Sequence, residues 1–242
     1  MCTVTFIPVK DKVFITSNRD EKKTRKSSAL PAFYSYNETR NLLYPKDPVG
    51  NGTWICLKEN GDAAVLLNGA FFPFTANTFQ ISRGQMLLDI VAAQRPSRQF
   101  IKSSLWEVAP FTLILFEAGS LYEFRWDGNE KFCKQLPAHR PHIWSSVTLY
   151  DSINIKKREH WFASFLNNNP LPTQKDIIDF HQYTGDGNEA NNLVMKRGNL
   201  YSTVSITSIF LTRDRGSMKH LDILNNISGE RKIELTKLIR QK

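Results

Sequence analysis

Apolar positions in this chain fall mostly in short alternating runs, the pattern of strands, with longer helical repeats grouped between them. Thr3 to Val9 and Val13 to Ser17 read as two strands joined by a turn at Lys10-Asp11-Lys12. Asn18 to Ser28 is polar and basic and reads as a loop, and residues 29 to 50, with Pro31, Pro45, Pro48 and Gly50, read as mostly irregular. A second hairpin is predicted over Thr53 to Lys58 and Asp62 to Leu67, because Asn60-Gly61 supplies a positive-φ turn. Asn68 to Thr78 is an aromatic loop.

The first helical repeat comes next. Ser82 caps a segment reaching Gln94, where Met86, Leu87, Ile90 and Val91 recur at helical spacing, and a short helix follows over Ser97 to Ser104. Strands resume at Phe111 to Phe116, Leu121 to Trp126, Lys131 to Gln135 and Ile143 to Leu149. Asp151 or Ser152 caps a helix to Leu166, and Thr173 caps another to about Tyr183. Leu200 to Thr212 is a long strand that Met218 to Asp222 is placed to join, and Ser228 is predicted to cap a last helix running to the end. Many hairpins with grouped helices point to an α+β fold built on antiparallel sheets, without βαβ alternation. No linker, repeat or low-complexity segment divides the chain, so residues 1–242 are expected to form one domain.

Composition narrows the chemistry. A 242-residue chain with 41% hydrophobic residues is long enough to bury a core without covalent staples. No apolar run approaches the roughly 20 residues of a membrane helix, and the first residues lack the basic leader and apolar stretch of a secretory signal. A cytoplasmic protein without a membrane span is expected. The net charge of +9 invites a nucleic-acid reading. The basic residues are scattered, however, and no binding motif accompanies them, so no specific nucleic-acid partner is expected. Three cysteines, Cys2, Cys56 and Cys133, form neither a disulfide framework nor a zinc spacing. The five histidines show no metal-ligand spacing, and the glycines form no phosphate loop. Neither a metal nor a cofactor is expected. Cys56 and Cys133 both fall in strands and are expected to be buried and inert.

Cys2 is the sharpest chemical feature. Removal of Met1, which the small second residue permits, exposes a residue carrying both a thiol and a free α-amine. The amine has an ordinary pKa of about 7.7–8.0 and can accept the thiol proton, so nucleophile and base belong to one residue. The opening hairpin brings residue 20 roughly opposite residue 2. A carboxylate there can hold the α-amine, and an arginine there favours the thiolate and binds anions.

The segments Met1-Cys2-Thr3-Val4, Ser17-Asn18-Arg19-Asp20-Glu21, Asn51-Gly52-Thr53-Trp54-Ile55 and Ala63-Ala64-Val65-Leu66-Leu67-Asn68 resemble the NRDE, or transport and Golgi organization, family. Ser146 to Tyr150 and Lys157-Arg158-Glu159-His160-Trp161-Phe162 extend the likeness over nearly the whole chain. That family resembles a branch of the N-terminal-nucleophile hydrolases. The resemblance implies a four-layer αββα sandwich and cleavage of a linear, non-peptide amide in a small-molecule substrate bearing an amide or acyl group. It implies Cys2 as nucleophile with its own amine as base, Asp20 as the orienting carboxylate and Asn68 as an oxyanion donor. Arg19 is a looser match. A second asparagine of related acylases has no secure counterpart, and the segment from Ser145 to Thr148 is the nearest candidate. Phe71, Phe72 and Phe74 follow Asn68, so they are candidates for an apolar acyl pocket, and core packing is the competing reading. Val204 stands where many relatives carry an arginine. A member of the fold that binds or carries a small molecule, lipid or haem without catalysis is the alternative.

Overall fold

The computed structural model describes residues 3–36, 40–74 and 80–236, with the side chain of Arg40 left aside. One sheet is a meander in chain order: β3 (Ala32–Tyr36), β4 (Arg40–Tyr44), β5 (Ile55–Lys58), β6 (Ala63–Asn68), β7 (Phe111–Glu117), β8 (Ser120–Trp126) and β9 (Lys131–Leu136). The other runs β10 (His142–Ser145), β1 (Thr3–Val9), β2 (Lys12–Lys22), β12 (Tyr201–Leu211), β13 (Arg215–Asp222) and β14 (Ile227–Glu234), with the short β11 (Lys196–Arg197) pairing with β12. All these strand pairings are antiparallel.

Alternation along each strand explains the layering. In β6, Ala63, Val65 and Leu67 face the other sheet, where they meet Val4, Phe6, Ile15 and Ile209. Ala64 and Leu66 face the opposite way, toward Leu87, Ile90 and Val91 of α1 (Arg83–Ala92) and Phe100 of α2 (Pro96–Lys102). Ile7 and Phe14 point out of the second sheet onto α3 (Ser152–Asn168) and α4 (Gln174–Tyr183), through Phe162, Ile177 and Phe180. Both sheets are therefore covered on both faces, and the order is helices, sheet, sheet, helices. The expected α+β fold of two antiparallel sheets stands, as does its αββα stacking.

Four expectations about elements change. Asn18 to Lys22 continues β2 and is not loop, because β12 pairs with it as far as Tyr201 opposite Lys22. Polar side chains there are buried among partners that local sequence does not display. Residues 32–36 and 40–44 form a two-strand ladder inside the stretch read as irregular, its prolines falling outside both strands. The C-terminal segment is strand β14 rather than a helix from Ser228: it pairs with all of β13, from Asp222 opposite Ile227 to Arg215 opposite Glu234. Its charged residues suit an exposed edge strand. The strand expected over Ile143 to Leu149 is also shorter, spanning His142–Ser145. Among the described residues, no helix is long and apolar enough to cross a membrane.

Candidate functional site

A cleft of ≈ 560 Å³ opens where β2 and β6 end, between the two sheets and beneath the start of α1. Arg19, Asn68 and Phe74 all line it. Cys2 lies outside the described residues. Its chain neighbour Thr3 begins β1 with no exposure and sits opposite Asn18.

Behind the cleft the end of β2 carries buried polar groups, each tied to another element. Asp20 accepts a hydrogen bond from Tyr150 Oη at 2.9 Å on one carboxylate oxygen and from Thr203 Oγ1 at 2.5 Å on the other. Thr203 belongs to β12, where the register slips between Thr203 and Ser205. Val204 is the extra residue of this bulge. It is buried and is not among the residues that line the cleft, and its carbonyl accepts from Ile223 N. The bulge lets Thr203 lie opposite Asp20 and Ser205 opposite Arg19.

Tyr150 is itself clamped. The Arg158 guanidinium lies 3.5 Å from its ring centroid and that of Arg197 at 5.1 Å. Arg158 is fully buried and donates to Thr3 Oγ1 and to the carbonyls of Asn191 and Asn192, at 3.1 and 2.8 Å. One arginine of the Lys157 to Phe162 segment thus links the first strand, Tyr150 and the loop before β11. Next to it, the Asn18 amide donates to the carbonyls of His181 and Leu193, leaving its oxygen to accept from His181 Nδ1. His181 Nε2 then accepts from Thr5 Oγ1. Burial, reinforced by the Arg158 charge, pushes the imidazole down to about 3, so it is neutral.

In the cleft, Arg19 Nη2 donates to Asp47 Oδ2 at 2.9 Å while its guanidinium stacks over Trp54 at 4.5 Å. Burial lowers its pKa against the pull of Asp47 and Glu21. Arg25 donates to the same Asp47 oxygen at 2.6 Å. Burial alone would raise the Asp47 carboxyl, but hydrogen bonds from Arg25 and Val49 N–H, with the Arg19 charge, hold it below the usual range. Asn68 fixes its strand end through its carbonyl, which accepts from Ser146 Oγ at 2.7 Å. Its side-chain Oδ1 and the Nε1 of Trp54 are buried with no hydrogen-bond partner among the described residues.

The remaining expected site residues lie elsewhere. Phe71 packs edge-on against Phe132 and under the Arg125 guanidinium, at 4.8 Å in each case, and Phe72 is largely exposed. Neither lines the cleft. Thr148 Oγ1 shares a hydrogen bond with Ser146 Oγ, placing it behind Asn68. Cys56 is fully buried, and burial pushes its thiol up. Cys133 is exposed, which corrects the expectation of burial: β9 is an edge strand. Trp54, Asp47, Arg83, Tyr150 and Thr203 had no assigned role from sequence. Trp54 and Tyr150 belong to the motif segments, which was the available signal. Among the described residues, no cluster of three or more His, Cys, Asp or Glu side chains is arranged to hold a metal ion.

Two antiparallel sheets between helical layers, with a polar cleft at one end, define a four-layer αββα sandwich. The chain belongs to the Transport and Golgi organisation 2 family, which it matches over residues 1–219. No curated protein matches it by sequence. Among solved structures, the fold is similar to the Caenorhabditis elegans N-acylethanolamine-hydrolyzing acid amidase ortholog, at 11% identity, covering 86% of this chain and 92% of that one, with a TM-score of 0.58. It is similar also to the conjugated bile acid hydrolase of Clostridium perfringens. One structure is a mutant in which the second residue, a cysteine, is alanine (12% identity, 100% and 99% coverage, TM-score 0.50). Another is an arginine-to-leucine variant (10%, 100% and 99%, TM-score 0.52). At these identities the likeness is one of fold.

Proposed function

We propose that this protein is an N-terminal-cysteine amidohydrolase that cleaves a non-peptide amide in a small molecule. The observation that carries the reading is Asp20. Its carboxylate is 3% exposed and held on both oxygens, on the strand that pairs with the one Cys2 leads into. A buried carboxylate so constrained is suited to orienting an ammonium or amine. Asn68 and Arg19 line a common cleft, and the two named neighbours in fold are by title an acid amidase and a conjugated bile acid hydrolase.

In this reading Met1 is removed and the Cys2 thiol passes its proton to its own α-amine. The thiolate attacks the amide carbon, and the oxyanion accepts a hydrogen bond from Asn68. Collapse breaks the C–N bond, the α-ammonium returns the proton to the departing amine, and a thioester remains. Water, deprotonated by the same α-amine, then releases the acid. One such oxyanion donor contributes roughly 2.7–4 kcal/mol.

The test is intact-mass analysis with alkylation at neutral pH, in a Cys133→Ser background because Cys133 is exposed. Loss of Met1 and alkylation of Cys2 many times faster than a free thiol are expected, with Asp20→Asn slowing the reaction. Retained Met1, or Cys2 reacting at the rate of Cys133 in the unmodified chain, refutes the hydrolase and favours a binder on this fold.

A further inference from the structure

The charges lining the cleft do not balance. Arg19, Lys22, Arg25 and Arg83 face it, against Glu21 and Asp47. Both carboxylates are engaged by the same two arginines. Asp47 pairs with Arg19 at 2.9 Å and Arg25 at 2.6 Å, and Glu21 lies 3.6 Å from Arg25 and 4.0 Å from Arg19. Arg83 and Lys22 are left without an ion pair among the described residues.

The two surplus cations differ. Lys22 is exposed at the rim. Arg83, the first residue of α1, is partly buried. It donates from Nη1 to the Pro110 carbonyl at 3.2 Å and lies 5.9 Å from the Phe74 ring centroid. Its burial weakens its hold on the proton, to a pKa of about 10, with Glu21 opposing from a distance. A guanidinium has five N–H donors, and its planar fork matches a carboxylate. A partly desolvated guanidinium that has, among the described residues, one neutral acceptor and no counter-ion is an incomplete pair. The backbone holds it there. A Cβ on Gly52 would come within 2.3 Å of Gly84 C, so the glycines let the start of α1 pack directly on the Gly52-Thr53 turn. Trp54, Leu66 and Phe74 supply apolar wall beside the charge.

We infer that the cleft selects acyl amides bearing a carboxylate, with Arg83 as the carboxylate-binding residue and Lys22 assisting at the rim. The inference rests on the amidohydrolase reading for the amide. The carboxylate part stands on the cleft's charges alone.

Binding to Cys2→Ala protein separates the two, because no nucleophile is needed. N-octanoylglycine and the neutral N-octanoylglycinamide are titrated by calorimetry. The acid is expected to bind about tenfold tighter or more. In Cys2→Ala/Arg83→Gln protein the preference collapses, Arg83→Lys retains part of it, and Arg98→Gln, an exposed arginine on α2, leaves it intact. Equal affinities, no binding of the acid, or a preference surviving Arg83→Gln each overturn the proposal. The comparison of ligands on the Arg83-containing protein decides even where a variant fails to fold. An unreactive Cys2 alongside a retained acid preference would sink the hydrolase and leave the carboxylate site standing.

Discussion

Strands β2 and β6 are both central, both antiparallel and both buried, yet they are held by opposite means. β6 reads AAVLLN, and its first five residues face two apolar cores. The buried run of β2 opens in the same way with Phe14 and Ile15, then continues through Thr16, Ser17, Asn18, Arg19 and Asp20, all buried. Apolar packing on β6 depends on shape and is insensitive to pH. The polar half of β2 requires each donor to find its acceptor, because a stranded buried group is costly. The strands converge at the cleft, where Trp54 Nε1 and Asn68 Oδ1 remain without partners. The hydrogen-bonded end of β2 is the support, and these two atoms of the cleft lining stand among five buried side-chain atoms without a partner among the described residues, with Arg158 Nε, Ser202 Oγ and Ser205 Oγ lying outside the cleft lining.

The contrast predicts a ranking of stability losses. Asn18→Leu keeps the volume but strands the His181 carbonyl and the Nδ1 donor of His181, and leaves the Leu193 carbonyl only its 3.3 Å bond from Thr203 Oγ1. Each stranded group costs about 1–3 kcal/mol. Leu113→Ala, in the apolar core around β7, is expected to cost about 3 kcal/mol through its cavity. Urea unfolding at pH 7.5 should therefore show the larger loss for the Asn18 variant. The reverse order would mean that the polar network contributes little beyond its packing.

Next in size is the pH dependence. Burial lowers His181 from 6.5 to about 3 and His220 to about 4, so both are neutral in the folded protein. The unfolded chain takes up these protons first as pH falls through about 6.5. Their contribution is complete above that pH and declines on acidification until the folded pKa values are reached. The slope for each histidine reaches about 1.4 kcal/mol per pH unit. Unfolding midpoints should be level from pH 8 to 7 and drop between pH 6 and 5. The drop should be shallower in a His220→Gln protein, where His181 alone of the two takes up its proton on unfolding. A flat profile down to pH 5 would show that these imidazoles are accessible to protons.

The difference between the strands also explains what the sequence disclosed. Alternation in β6 and in the β7–β8 hairpin is local, so those strands fall within a residue or two of expectation. Asp151 and Thr173 are helix caps in the structure as in the sequence reading. The polar end of β2 looked like loop because its partners are distant in the chain: His181, Leu193 and Thr203 are all more than 150 residues away. For the same reason nothing local marks Arg158, which follows Lys156 and Lys157 in sequence, as a buried residue. Motif likeness drew attention to Arg19, Asp20 and Asn68, but no local pattern distinguishes Phe74 in the cleft from Phe72 on the surface.

The apolar side has its own tight point, where the Gly52 turn meets Gly84. Gly52→Ala places a methyl group against backbone that has no flexible end to yield, and overpacking of this kind costs about 1–3 kcal/mol. The first turn of α1 must move, and Arg83 moves with it. Calorimetric melting should report a lower Tm, and the acid preference should weaken in parallel. An unchanged Tm would show that the cleft wall is compliant.

The smallest effect separates two helix starts. α4 opens on a capping box: Thr173 Oγ1 accepts from Asp176 N, and the Asp176 carboxylate accepts from Thr173 N at 2.9 Å. α1 opens on Ser82, whose side chain makes no cap hydrogen bond and lines the cleft. Thr173→Ala is therefore expected to cost about 1 kcal/mol, the ordinary value of a lost cap. Ser82→Ala removes no such bond and should leave the unfolding midpoint where it is. If both substitutions cost the same, Ser82 does cap α1 in solution, and its hydroxyl is committed to the helix. If only Thr173 matters, α1 is held by its packing on Gly52 and β6, and its first turn faces the cleft without a side-chain cap.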